Sequence, residues 1–144
     1  MTHMDRDLET RVAAVLSTRA EILEAYVFGS RARRDERPHS DVDIAVYVDP
    51  ERVREAPYGY DSELAADLMS ALGTSRVDVV VLNGAPPLLY HRVLRDGIRI
   101  LSLDLVATTR REGQALSRYC DYLPQLAKIE QAAAARTRAG EFGK

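Results

Sequence analysis

Across residues 40–48 the chain alternates with a period of two: Val42, Ile44, Val46 and Val48 fall on one side, Asp41 and Asp43 on the other. Only an extended strand separates residues in this way, because successive side chains leave a strand on opposite faces. The aliphatic side has to be covered by other elements. The acidic side has to meet water, a cation or a ligand, so this one segment demands a layered fold with an open, negatively charged patch.

Other strands are available to pair with it. Ala25-Tyr26-Val27-Phe28 is β-branched and aromatic and stops at Gly29, after which Ser30 is a good cap for a short helix through residue 37. Residues 77–82 form a third aliphatic run, closed by Asn83-Gly84, and residues 98–101 a fourth that follows Gly97. Between them lie helical patterns. Leu8, Val12, Val15, Leu16, Ile22 and Leu23 recur mostly at three- and four-residue steps and predict a first helix over residues 5–24. Residues 49–60, with Pro50, Pro57 and Gly59, read as a loop. Leu64, Ala65, Leu68, Met69 and Leu72 form a helical stripe that ends at Gly73, and Pro86 or Pro87 suits the first turn of a helix reaching Asp96. The order α-β-α-β-α-β-α-β predicts an α/β (α+β) domain with a small mixed four-stranded sheet over residues 1–104.

Residues 105–138 predict a C-terminal helical extension packed on the core or on a partner, with Leu116, Tyr119, Leu123 and Leu126 as an a/d-like seam. Pro124 is expected to kink or restart that helix, and residues 139–144 to form a disordered tail. A length of 144 residues suits one domain. With a formal net charge of −2 there is no basic field to neutralise a nucleic-acid backbone, so no direct DNA or RNA binding is expected. The single cysteine, Cys120, cannot form an internal disulfide and shares no ligand spacing with His3, His39 or His91, which argues against zinc. No signal-peptide pattern or membrane span is visible, and a cytoplasmic location is expected.

The chemistry is carried by three acids. Asp41 and Asp43 sit on the second strand, and Asp78, flanked by Val77 and Val79, on the third; adjacent strands lie about 4.8 Å apart, so neighbouring strands would bring these carboxylates together. Like charges that close repel unless a cation sits among them. All-oxygen ligation favours Mg²⁺ or Mn²⁺, which takes one or two carboxylates and completes its shell with water and phosphate, implying a nucleoside triphosphate such as ATP. Gly29 allows backbone to approach a phosphate, and Ser30 at a helix start adds a hydroxyl to free N–H groups. Arg31 and Arg33, with Arg34, follow within reach of phosphate oxygens. An Asp-x-Asp alone means little, and Asp5-Arg6-Asp7 is a second instance. Requiring Gly-Ser at a fixed offset upstream lowers the chance expectation to roughly one in 300.

Gly29-Ser30, ten intervening residues and Asp41-Val42-Asp43 resemble the signature of the DNA polymerase beta-like nucleotidyltransferase superfamily. The short length and residues 83–101 (NGAPPLLYHRVLRDGIRIL) further resemble the minimal nucleotidyltransferase (MNT) antitoxins, which pair with HEPN-domain ribonuclease toxins. This resemblance implies a polymerase beta-like palm fold. It implies that Asp41 and Asp43 hold metal, that Asp78 completes the site as candidate acceptor of the attacking hydroxyl's proton, and that Ser30 contacts the β- and γ-phosphates. It also implies transfer of AMP from ATP to a hydroxyl, a tyrosine in the first instance, of a partner HEPN toxin, which neutralises that toxin.

Plainer readings stand beside each of these. Asp41, Asp43 and Asp78 could be solvent-facing acids of an edge strand, Ser30 a simple helix cap, and Arg31, Arg33, Arg34 and Arg37 a charged helix face. Two other functions stay open: a small-molecule nucleotidyltransferase of the aminoglycoside type, and a binding antitoxin that covers its toxin without chemistry.

Overall fold

The computed structural model describes residues 2–29 and 41–140. The short helix expected after Ser30, through Arg37, lies outside them, as do residues 141–144 of the expected disordered tail. The first helix, α1 (Thr2–Ser17), is shorter than its apolar spacing suggests. Ser17 Oγ donates to Ala14 O at 2.9 Å and Thr18 Oγ1 to Val15 O at 2.7 Å, which satisfies the last carbonyls and ends the helix there. Ile22 and Leu23, expected on that helix, instead open the first strand, β1 (Ile22–Phe28), where β-branched Ile22 is fully buried. The three- and four-residue periodicity fails between Leu16 and Ile22, and that gap is the helix end.

The strand β2 (Val42–Val48) pairs antiparallel with β1, in the register Phe28↔Asp43 and Val27↔Ile44. From β2 the chain passes through residues 49–59 into α2 (Tyr60–Leu72) and returns as β3 (Val77–Val81), parallel to β2. A parallel neighbour requires such a crossover. Gly73 closes α2 in the left-handed region at φ 70°, its N–H donating to Met69 O. A 3-10 turn (Leu82–Gly84) follows β3, and the side chain of Asn83 pairs with both backbone groups of Val48, extending the ladder by one residue. Then come α3 (Pro87–Asp96), β4 (Ile98–Ser102) and the 34-residue α4 (Leu105–Arg138). The sheet order is β3-β2-β1-β4, with β1 antiparallel to both its neighbours. The chain thus has the mixed four-stranded sheet and the C-terminal helix expected of it.

Helices cover both faces. Val42, Ile44, Val46 and Val48 pack with Val12 and Leu16 of α1 and with Leu64, Leu68 and Leu72 of α2. On the other face Tyr26 and Ala45 pack with Tyr90 and Val93 of α3 and Ala115 of α4. Asp43 belongs to this second face, at the end of the sheet where the helical cover stops.

α4 starts on the Asp104 side chain, which accepts from Val106 N at 3.1 Å and Ala107 N at 3.2 Å. It runs as one uninterrupted helix through Pro124, so the expected restart there is not found. The seam divides: Tyr119 stacks on His91 of α3 with ring centroids 3.6 Å apart, whereas Leu116 and Leu123 are 50% and 41% exposed. From Leu123 to Arg138 only Leu126 is even partly covered.

The phenol of Tyr90 is buried on the second face without a hydrogen-bond partner among the described residues, and burial pushes its pKa up to about 12. An orphaned buried hydroxyl costs about 1–3 kcal/mol. Tyr90→Phe is therefore expected to raise stability by about 1 kcal/mol, read as a higher denaturation midpoint in urea with an unchanged slope.

Candidate active site

The parallel register places Asp43 directly beside Asp78, so both carboxylates leave the same face of the sheet. Asp41 lies one residue before β2 rather than on it, exposed, and two residues from Asp43. Asp43 is half-buried and feels both neighbours. Burial first, then the like charges of Asp78 and Asp41, push its carboxyl from the ordinary 3.8 up to about 6.

Gly29 ends β1 directly against this group. Its φ is +78°, a region that L side chains rarely adopt, and a Cβ built there would collide with Oδ2 of Asp43. Both facts require glycine. Gly29→Ala is expected to cost about 1–2 kcal/mol and to displace the Asp43 carboxylate, with thermal unfolding as the check on the first effect. Ser30, Arg31, Arg33, Arg34 and Arg37 lie outside the described residues.

Phe28, Gly29, Asp43, Arg92, Arg95 and Asp96 line a cavity of about 330 Å³. Arg92 and Arg95 are cations that sequence reasoning did not assign to the site. They stand three apart on α3, hence on one helix face, and α3 packs against β1 beside Gly29. The arginine spacing was visible in the sequence, but the packing of α3 over the acidic face was not. Arg95 is held in a two-pronged contact with Asp96, both distances 2.9 Å. Arg92 is exposed and has no ion-pair partner among the described residues.

Two carboxylates, Asp43 and Asp96, and two guanidiniums, Arg92 and Arg95, line this cavity, with Asp78 beside Asp43 on the sheet, and such a set suits a polyanion accompanied by a hard cation. Among the described residues no group of three or more His, Cys, Asp or Glu side chains is gathered closely enough to hold a metal by itself. Magnesium asks for less: one or two carboxylates, with water and phosphate oxygens as its remaining ligands. The donor set fits such an ion, since it is all oxygen and Asp43 carries a repulsion that a cation would relieve.

The face beside this cavity is fixed by buried ionic contacts. Glu24 of β1 is fully buried, accepting from Arg111 Nε at 2.9 Å, Arg111 Nη2 at 2.6 Å and Thr108 Oγ1 at 2.8 Å. The Arg111 guanidinium also lies over the Tyr47 ring, 4.8 Å from its centroid. Tyr26 donates to Glu112 at 2.7 Å, and Arg99 of β4 donates to both oxygens of Glu112. Burial and that carboxylate hold the Tyr26 phenol protonated far above its usual range. The first three turns of α4 are thereby clamped to the sheet. Among the described residues no helix is long and apolar enough to cross a membrane.

Comparison with known proteins supports the fold that carries this site. Structural similarity extends to a chain of a toxin-antitoxin crystallised with AMP-PNP: TM-score 0.72, 24% identity, covering 87% of this chain and 98% of that one. It extends also to a chain of the complex between a tri-AMPylated Shewanella oneidensis HEPN toxin and its MNT antitoxin, with TM-score 0.68, 23% identity and coverage of 90% and 98%. At these identities the likeness establishes the fold. A protein described as a candidate minimal nucleotidyltransferase is 31% identical, with TM-score 0.50 and coverage of 65% and 89%. No curated protein sequence matches the chain. The sequence model of the polymerase beta nucleotidyltransferase family matches residues 10–105, which takes in every acid of the site, Gly29 and the whole sheet. With two thirds of its length so matched, the chain belongs to the polymerase beta nucleotidyltransferase family.

Proposed function

We propose that this chain transfers AMP from ATP to a hydroxyl of a protein partner, a HEPN-type toxin, and thereby acts as its antitoxin. The observation that carries the transfer reading is the Asp43-Asp78 register beside Gly29: a charged carboxylate pair on one sheet face, with backbone that only glycine allows at its flank. The partner is suggested by the solved relatives, one of them a complex with a tri-AMPylated HEPN toxin.

In this reading Asp41 and Asp43, with Asp78 completing the set, would hold magnesium. When bound, the ion supplies charge neutralisation on the phosphates and a lower pKa for the attacking hydroxyl. The chain's own residues do the rest by position. Gly29 leaves room for a phosphate beside Asp43, and the family resemblance gives the next residue in sequence, Ser30, a phosphate-contacting role. Arg92 and Arg95 place positive charge along the leaving pyrophosphate, and Arg31 and Arg33 are the further candidates by their sequence position after Gly29-Ser30. Asp78 is exposed on the edge strand β3, so a bulky acceptor can bring a hydroxyl to it, and its carboxylate is placed to take the proton.

A purely binding antitoxin is the second reading, and exposed apolar side chains on α4 favour it: Leu116, Leu123 and Ile129 are 41–55% exposed. One experiment separates the two. The chain is incubated with labelled ATP, magnesium and a candidate HEPN-type partner; transfer of label to that protein is the expected result. No label with any of the four ribonucleotides, together with neutralisation by a folded Asp41→Ala, Asp43→Ala double mutant, would favour binding alone.

A further inference from the structure

A second cavity, of about 540 Å³, opens between α3, β4 and α4. It shares Arg95 with the acidic cavity, so the two meet at that guanidinium. Its walls are unlike those of the first. Tyr26, Leu94 and Leu116 give it apolar surface, and His91, stacked flat on Tyr119 with planes 3° apart, gives it an aromatic side. Glu112 and Arg99 stand together at its polar edge, their side chains 23% and 35% exposed. Glu112 is fixed there by the Tyr26 phenol, so the cavity offers a positioned acceptor next to a positioned donor.

Gly113 supplies an independent observation. It lies within α4 and lines the same cavity, and a Cβ built on it meets nothing within 4 Å. Glycine is the poorest helix former after proline, and no packing contact here demands it. What its missing side chain preserves is open volume on the cavity wall.

We propose that this cavity is the nucleoside subsite of the transferase and that it takes a purine, whose base edge is read by Glu112 and Arg99. The inference rests on the nucleotidyl-transfer reading of the Asp43 site. Topology supports the direction. Asp78 is on β3, at one flank of Asp43, while the cavity lies over β1 and β4, at the other. With the acceptor hydroxyl on the Asp78 side, the β1/β4 flank is left for the nucleoside, beyond the phosphates at Arg95. A flat heteroaromatic ring suits walls made of leucine, tyrosine and an imidazole held in place by its stack on Tyr119. A carboxylate beside a guanidinium matches an adenine edge, which donates from N6 and accepts at N1.

Calorimetric titration in magnesium, with ATP and separately with tripolyphosphate, tests this on wild type and on Gly113→Phe shown by circular dichroism to be folded. The expected result is at least about a tenfold loss of ATP affinity in the variant, with tripolyphosphate binding unchanged. Unchanged ATP affinity in the folded variant overturns the subsite. So does a wild type that binds ATP no more tightly than tripolyphosphate, and either result leaves the phosphate site standing. A wild type that binds neither ligand overturns subsite and transferase together. CTP bound as tightly as ATP overturns the purine assignment. Irradiation of wild type with 8-azido-ATP needs no variant: label is expected on peptides containing residues 91–99 or 112–119, and label found only elsewhere overturns the proposal.

Discussion

Asp43→Asn is expected to make the protein more stable and, under the proposed function, at least about a thousandfold slower. Both effects have one cause. In the folded chain the Asp43 carboxyl ionises near pH 6, against 3.8 for the free group, because it is half-buried between the like charges of Asp78 and Asp41. Between these values the folded state keeps a proton that the unfolded state has lost. Stability must therefore fall as pH rises through this window, with the full penalty present above about 6. An amide cannot ionise, so the variant escapes the penalty. After allowance for solvent screening of a partly exposed group, the gain at pH 7 is about 1 kcal/mol. Thermal melts from pH 4 to 8 should show the wild type losing stability over the window and the variant nearly level. Magnesium should raise the wild-type midpoint at pH 7 and barely move that of the variant, since a cation binding only the native state stabilises it by mass action. The same proton competes with the cation, so transfer should decline as pH falls below about 6. A variant no more stable than wild type, or one that still transfers at the wild-type rate, would remove Asp43 from the role given to it.

The acids and the glycine of this site were legible in the sequence because each obeys a local rule. Val42 and Ile44 alternate with Asp41 and Asp43, and a strand is the only element that separates them; the structure buries Val42, Ile44 and Val46 against α1 and α2 and leaves Asp43 on the opposite face. Gly73 likewise ends its helix by a left-handed backbone conformation that glycine itself carries. The end of α1 was misread because Ile22 and Leu23 suit either period, and the hydroxyls of Ser17 and Thr18 that stop the helix are weak signals alone. Arg92, Arg95, Arg99, Arg111 and Glu112 were not read as parts of a site for a different reason. Their roles exist only after α3 and α4 have crossed the sheet, and nothing local says which face a helix will cover. Glu24 shows the same limit: the helical spacing puts it at the end of the first helix, yet it lies on β1 and is fully buried, its partner 87 residues away.

That partner sets the largest stability effect in the molecule. Arg111→Ala should destabilise the chain by about 3–5 kcal/mol, because it leaves the buried Glu24 carboxylate with Thr108 as its remaining side-chain partner. A domain of this size has only about 5–15 kcal/mol in hand, so the variant should melt roughly 10–20 °C lower. The penalty belongs to the stranded charge rather than to a net benefit of the pair. Replacing both partners by apolar groups, Glu24→Leu with Arg111→Met, should therefore recover most of the loss, and the two substitutions should be strongly non-additive. The double-mutant cycle has a second readout. Arg111 also covers the Tyr47 ring, and with Thr108 it holds α4 over the sheet, in the same helix that carries Glu112 and Gly113. Loosening that contact should raise amide exchange through the first three turns of α4 before it reaches β1 and β2, whose pairing does not depend on it. Should Arg111→Ala instead cost less than about 1 kcal/mol, Glu24 must reach water in the folded chain, and α4 is then held to the sheet by Glu112, with Tyr26 and Arg99, and by apolar packing.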